Sequence, residues 1–309
     1  MFIGKYQPGV ISGVTPTGET WAGVEVASPT GIVVHRDTIL FWMPPAAGEP
    51  EFHTTSDNTF PPEATVLHRL SSLNLPVNAF SHLEPPNVNF YSSFTRNALR
   101  HPSLVGDNSG FVVPTYGIPF AHSCYPNAIC LAEITEKTIE VRLTRPVAHF
   151  EAITLSYCPL NVGKDDRESY LKQFHGIEHH DCPRGCEQLS YVLGDRRRAE
   201  FFRLSAEMDT VLYGAEFEIQ VHSACQLARE QHLEAYLWPF LSKAELHARK
   251  SKFACRRGVH RILIAVMENQ GGINHPSVEF ARTFEHTIEW ASRTAVFFWC
   301  MLFNDILLA

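Results

Sequence analysis

The chain has 309 residues, 45% of them hydrophobic and 19% charged, a balance that excludes both a disordered chain and a coiled coil. Its 26 Lys and Arg stand against 33 Asp and Glu, and no basic stripe supplies the electrostatic footprint that a nucleic-acid backbone requires, so direct nucleic-acid binding is not expected. Eight cysteines at scattered positions suit a reducing compartment better than a disulfide framework.

The opening MFIGKYQPGVISG carries neither a long apolar core nor a small-residue cleavage site, so an intracellular protein, cytoplasmic or nuclear, is expected. From there to about residue 160 the runs WAGVEVAS, GIVVHRDTILFW, NAICLAEI, TIEVRLTRP and AITLSY predict short strands separated by turn residues. TIEVRL alternates apolar and polar positions, as a half-buried strand does. Residues 44–66, PPAAGEPEFHTTSDNTFPPEATV, predict a long surface excursion, because prolines and small polar residues cannot sustain a strand ladder. They open an insertion over about 44–105.

From about 194 the period changes. GDRRRAEFFRLSAEMDTVL sets Phe201, Phe202, Leu204, Met208, Val211 and Leu212 at helical spacing, with Asp195 in the cap region that opens the helix. EFEIQVHSACQLAREQHLEAYL and HPSVEFARTFEHTIEWASRTAVFFW repeat the pattern, the second starting at Pro276-Ser277. The apolar tail TAVFFWCMLFNDILLA is interrupted by Asn304 and Asp305 and falls short of the roughly 20 apolar residues a bilayer span needs, so it predicts a buried closing helix and no transmembrane segment. The expected fold class is α+β: a β-rich domain of short twisted sheets over 1–190, then a helical C-terminal region over 191–309.

Two stretches concentrate reactive side chains. In PFAHSCYPNA, residues 119–128, His122 stands beside Ser123 and Cys124, but adjacency in sequence does not orient a base toward a nucleophile. Downstream, GIEHHDCPRGCEQ holds His179, His180, Cys182 and Cys186, ligand types that suit zinc with Cys124 as a fourth donor. The spacing His-x-Cys-x-x-x-Cys is looser than a Cys-x-x-Cys knuckle, and equally describes a solvated loop carrying ordinary thiols. Spacing alone leaves both open.

Taken in order, HSCYPNA, FEAITLSYCPL, RESYLKQFHGIEHHDCPRGC and GDRRRAEF resemble the SET-domain protein methyltransferases, and most of all the fungal SET-domain proteins that share the layout of the SET-and-MYND type without its MYND finger. NALR and GFVVP fall where that family approaches its Asn-His motif, so the resemblance runs from about Gly23 to about Arg198. It implies a SET-type domain built round a pseudoknot, in which PFAHSCYPNA threads beneath a loop made by a later strand, followed by a post-SET-like element over about 174–190. It also implies S-adenosylmethionine on one face, near Gly23, Ala121 and His122, and a protein lysine entering from the other, with Tyr157 as the catalytic residue between them. Cys124, His180, Cys182 and Cys186 would hold a structural zinc, His179 being the competing ligand, and Asn127 would serve the backbone crossing.

Several positions depart from the family pattern. Ala121 stands where the motif has Asn, Trp21 replaces the first glycine of a Gly-x-Gly that Gly23 completes, and Phe150 and Ala152 replace the Gly and second Glu of a Gly-Glu-Glu turn. Pro119 occupies the place of an arginine, and the post-SET-like element has histidine for cysteine with an extra residue between Cys182 and Cys186. Each lost hydrogen bond to a charged cofactor costs on the order of 1.5–3 kcal/mol. Two expectations follow: a lysine methyltransferase, or a SET fold that has lost the methyl donor and binds or cyclises an apolar small molecule, as in fungal secondary metabolism, in a cleft suited by Ala121, Phe150 and Ala152.

Overall fold

The computed structural model describes residues 5–6, 10–14, 20–24, 33–43, 62–76, 79–80, 83, 89–101, 110–115, 120–133, 137–160, 162–177, 190–271, 278–279 and 281–282. The chain divides into two compact units, 1–195 and 196–309. Helix and strand are both well represented, consistent with the α+β class.

The first unit begins with β1 (Lys5–Tyr6), the antiparallel pair β2 (Val10–Val14) and β3 (Thr20–Val24), and the long strand β4 (Val33–Met43). Helices α1 (Glu63–Ser72) and α2 (Phe90–Asn97) follow, then β5 (Leu99–His101), β6 (Gly110–Pro114), β7 (Ala121–His122), β8 (Ala128–Glu133), β9 (Thr138–Leu143) and β10 (Thr154–Leu155). The main sheet runs β5-β6-β4-β9-β8, with β1 also paired to β4. Strand β4 joins its two halves: residues up to Thr38 pair with β9 and residues from Ile39 pair with β6. Register shifts at Val33/His35 and Ile39/Phe41 bend it between these partners, so the sheet curls. The alternation in TIEVRL is realised in β9, where every second residue is buried.

Helices α1 and α2 cover the β4–β6 part of the sheet. Phe41 is the hub, meeting Phe80 and Phe94 edge-on at 5.5 and 5.7 Å, with Val66, Leu70, Phe111 and Val113 around them. Asn89 caps α2 by accepting the Ser92 N–H at 2.8 Å. The surface excursion expected over 44–66 is therefore corrected at its end: residues 63–66 belong to a helix that puts Val66 and Leu70, one turn apart, into this core, while 44–61 lie outside the described residues.

After β10, α3 (Lys164–Tyr170) passes directly into a π-helical turn, Leu171–His175, closed by Gly176 at φ +66°. Helix α4 (Ser190–Glu207) carries the chain out of the first unit. Asp195 does not open this helix, as its sequence had suggested; it lies more than one turn inside. Its carboxylate accepts from the fully buried Arg167 guanidinium at 2.9 Å and from the Lys164 N–H, at the start of α3, at 3.1 Å. A partner 28 residues earlier in the chain took the side chain from its expected local role.

In the second unit the regular elements among the described residues are helices, with α5 (Gly214–Glu230), α6 (Leu237–Lys250) and α7 (Arg256–Gly271) after α4. Phe201, Phe202, Leu204 and Met208 are buried as their spacing required. Val211 and Leu212 instead fall in the turn before α5, and Leu212 is 77% exposed. Trp238, Phe240, Leu241 and Val259 are also buried. Of the last expected helix, the described residues 278–279 and 281–282 are helical. Among the described residues no helix is long and apolar enough to cross a membrane.

Candidate functional site

The stretch PFAHSCYPNA is tied to the chain some thirty residues later by an unusual pairing: β7 and β10, two residues each, run parallel. So short a parallel pair does not hold itself, and side chains supply the rest. Asn127 Oδ1 accepts the buried Thr154 N–H at 2.8 Å, Asn127 Nδ2 donates to Ala152 O at 2.8 Å, and the Ser123 N–H donates to Leu155 O at 2.8 Å. Phe120, Ile153 and Leu155 bury their side chains with Val34, Val141 and Leu143 beneath it. Glu151 shapes the preceding turn by accepting the Ala148 N–H at 3.0 Å and pairing with Arg145. Within that turn Phe150 adopts φ +58°, a conformation glycine takes without strain.

At the centre lies His122. The Tyr157 N–H donates to its Nδ1 at 3.1 Å, so in the neutral ring the proton resides on Nε2. Nε2 in turn faces two sulfurs, Cys124 Sγ at 3.4 Å and Cys158 Sγ at 3.9 Å. The three donor atoms lie within 4.8 Å of one another and all three residues are buried. By ligand type this group can hold a metal.

Tyr157 ties the cluster to the start of β7, since its phenol donates to Phe120 O at 2.7 Å. Burial holds this phenol well above the ordinary tyrosine range, so it stays neutral at physiological pH. Its ring meets that of His175 at 5.4 Å, which also stands 5.9 Å from Tyr170. Burial lowers His175 to about 4, partly opposed by hydrogen bonding to the Arg96 and Tyr157 backbone, so this imidazole is neutral too. Cys130, buried nearby, is pushed up to about 12.

Of the residues singled out in the sequence, Ala121, His122, Cys124 and Tyr157 come together here, and β3, which carries Gly23, runs beside β7. His179, His180, Cys182 and Cys186 lie outside the described residues. Sequence reasoning missed Cys158, whose sulfur joins the cluster, and His175. The first follows Tyr157 directly in SYCPL, but its partner Cys124 lies on the other arm of the crossing, where spacing carries no signal.

Compared with known proteins, the chain matches no family model and no curated protein.

Proposed function

We propose that the chain is a SET-fold protein-lysine methyltransferase using S-adenosylmethionine, with Tyr157 at the transfer point. The observation that carries this reading is the pair of oxygens at 2.7 Å, Tyr157 Oη and the Phe120 carbonyl, held together at the strand that also bears Ala121 and His122. The parallel tie between Ala121–His122 and Thr154–Leu155, laced by Asn127, supports the pseudoknot that the SET resemblance implies.

When bound, the cofactor supplies an electrophilic methyl group on a sulfonium. The protein's part is positional. Tyr157 Oη and Phe120 O offer two electron-rich oxygens side by side, suited to line the path of a positively polarised methyl and to orient a neutral amine. The raised phenol keeps Tyr157 protonated, so it acts as a dipole and does not compete as a nucleophile. The His122 ring, fixed between the Tyr157 N–H and the two sulfurs, holds Tyr157 against Phe120. Asn127 keeps the two arms of the crossing in register.

The cofactor fits unevenly. The methyl end has its oxygens, whereas half-buried Ala121 offers a methyl group where the family's Asn offers an amide. Ala121 is the observation that keeps the second reading, a SET fold holding an apolar small molecule in place of the methyl donor. Phe150 lends that reading nothing: it is 61% exposed and stacks on His149 at 3.8 Å, on the outside of its turn.

Calorimetric titration with S-adenosylmethionine and its demethylated product decides between them. Binding, together with methyl transfer to a lysine-bearing protein that Tyr157→Phe abolishes, is the expected result. No binding at millimolar cofactor ends the methyltransferase reading.

A further inference from the structure

We propose that His122, Cys124 and Cys158 form a site for one thiophilic divalent cation of the zinc class, built inside the chain crossing, in which Cys124 serves this trio and not a set with His180, Cys182 and Cys186. Three observations carry it. The donor set, two thiols and an imidazole, is one that zinc-class ions prefer over the lighter oxygen-seeking cations. The spacing also fits: with Zn–S near 2.3 Å and Zn–N near 2.0 Å, the nitrogen–sulfur edge of a tetrahedron is about 3.6 Å, and the two edges here are 3.4 and 3.9 Å.

The third observation is burial without a counter-charge problem. All three residues are buried, and a dication with two thiolates and a neutral imidazole carries no net charge, which avoids most of the penalty for placing an ion in a protein interior. His122 and Cys124 come from one arm of the crossing and Cys158 from the other, so the ion would tie the arms together. The trio leaves one tetrahedral position unfilled.

Proton accounting adds a consequence. Binding releases the two thiol protons, and ligation through Nε2 requires the ring proton to move to Nδ1. Nδ1 now accepts the Tyr157 N–H at 3.1 Å, and cannot do so while protonated. Loading the site therefore breaks that bond, so the ion and the hydrogen bond from the Tyr157 N–H to His122 exclude each other, while the phenol keeps its bond to Phe120 O.

The test uses the full chain, stripped of metal and titrated with cadmium. One equivalent should produce thiolate-to-cadmium absorbance that disappears in the Cys124→Ser/Cys158→Ser double variant and persists in Cys130→Ser, a change at a buried cysteine outside the trio. Equal absorbance in wild type and double variant overturns the proposal. Should the double variant fail to fold, X-ray absorption of zinc-loaded wild type decides: two sulfurs with nitrogen in the shell support the trio, whereas three or more sulfurs, or none, overturn it. Neither measurement involves S-adenosylmethionine, so failure here and failure of the methyltransferase reading are separable.

Discussion

Asn127 holds Thr154 from 27 residues away, its Oδ1 accepting the buried Thr154 N–H at 2.8 Å while its Nδ2 donates to the neighbouring Ala152 carbonyl. Truncation strands a donor and an acceptor inside the crossing, and each buried orphan costs about 1–3 kcal/mol. Asn127→Ala is expected to destabilise the protein by about 2–4 kcal/mol in denaturant unfolding. A loss within the roughly 0.5 kcal/mol typical of surface changes would show that the crossing does not depend on this amide.

Asp195 neutralises a guanidinium that has no access to solvent and caps α3 as well. Removing one partner of a buried pair leaves the other uncompensated. Asp195→Ala is expected to cost about 3 kcal/mol, reduced from the fully buried range because the carboxylate is partly exposed. Asp195→Asn, which keeps an acceptor for Lys164, should lie between; equal stability of all three chains would contradict the ion pair's role.

Two histidines make the fold acid-sensitive. Burial lowers His35 from 6.5 to about 4, and His175 likewise to about 4. In this window the unfolded chain binds more protons than the folded one, so stability falls as pH drops from about 6.5 toward about 4 and is fully present above it. For the fully buried His35 the contribution is on the order of 3 kcal/mol. Unfolding free energies measured across the window should decline with acid, and the ring resonances of both histidines should keep their neutral positions to about pH 5; rings that titrate near 6.5 would refute the burial argument.

Phe150 offers a gain. A non-glycine residue in the left-handed region costs about 1–2 kcal/mol, against about 0.5–1 kcal/mol of extra chain entropy when glycine replaces it. Because the ring is mostly exposed, little burial is lost. Phe150→Gly should raise stability by about 0.5 kcal/mol, seen as a higher melting temperature; a lower one would mean that stacking on His149 outweighs the strain.

Local pattern reported local structure where a single period governed the segment. TIEVRL became an alternating strand, and Phe201 to Met208 became a buried helix face, because in each the period alone decides which side meets the core. Helices α1 and α2 escaped notice since ten and eight residues with few buried positions make a faint period among prolines and serines. Asp195 was misread for a different reason: its local context favours a cap, but Arg167 competes for it through the folded chain. The same limit hid the site's geometry. Cys124, Tyr157 and His122 each drew attention, yet that Nδ1 would accept and Nε2 face two sulfurs depends on how one arm of the crossing is rotated against the other.

The pairing of β7 with β10 also dictates an order of assembly. Joining them directly closes a loop of about thirty residues for a two-residue reward, an unfavourable exchange for an unstructured chain. The β8–β9 hairpin lies inside that loop, and its end is drawn shut by the Thr144 N–H on Asn127 O. Once the hairpin has formed, only about ten residues separate its closed end from Thr154, and Asn127 already stands at the near side of the gap. Fast antiparallel zipping should thus precede the parallel tie, and sequence changes that slow the hairpin should delay the appearance of the Tyr157 centre by the same factor.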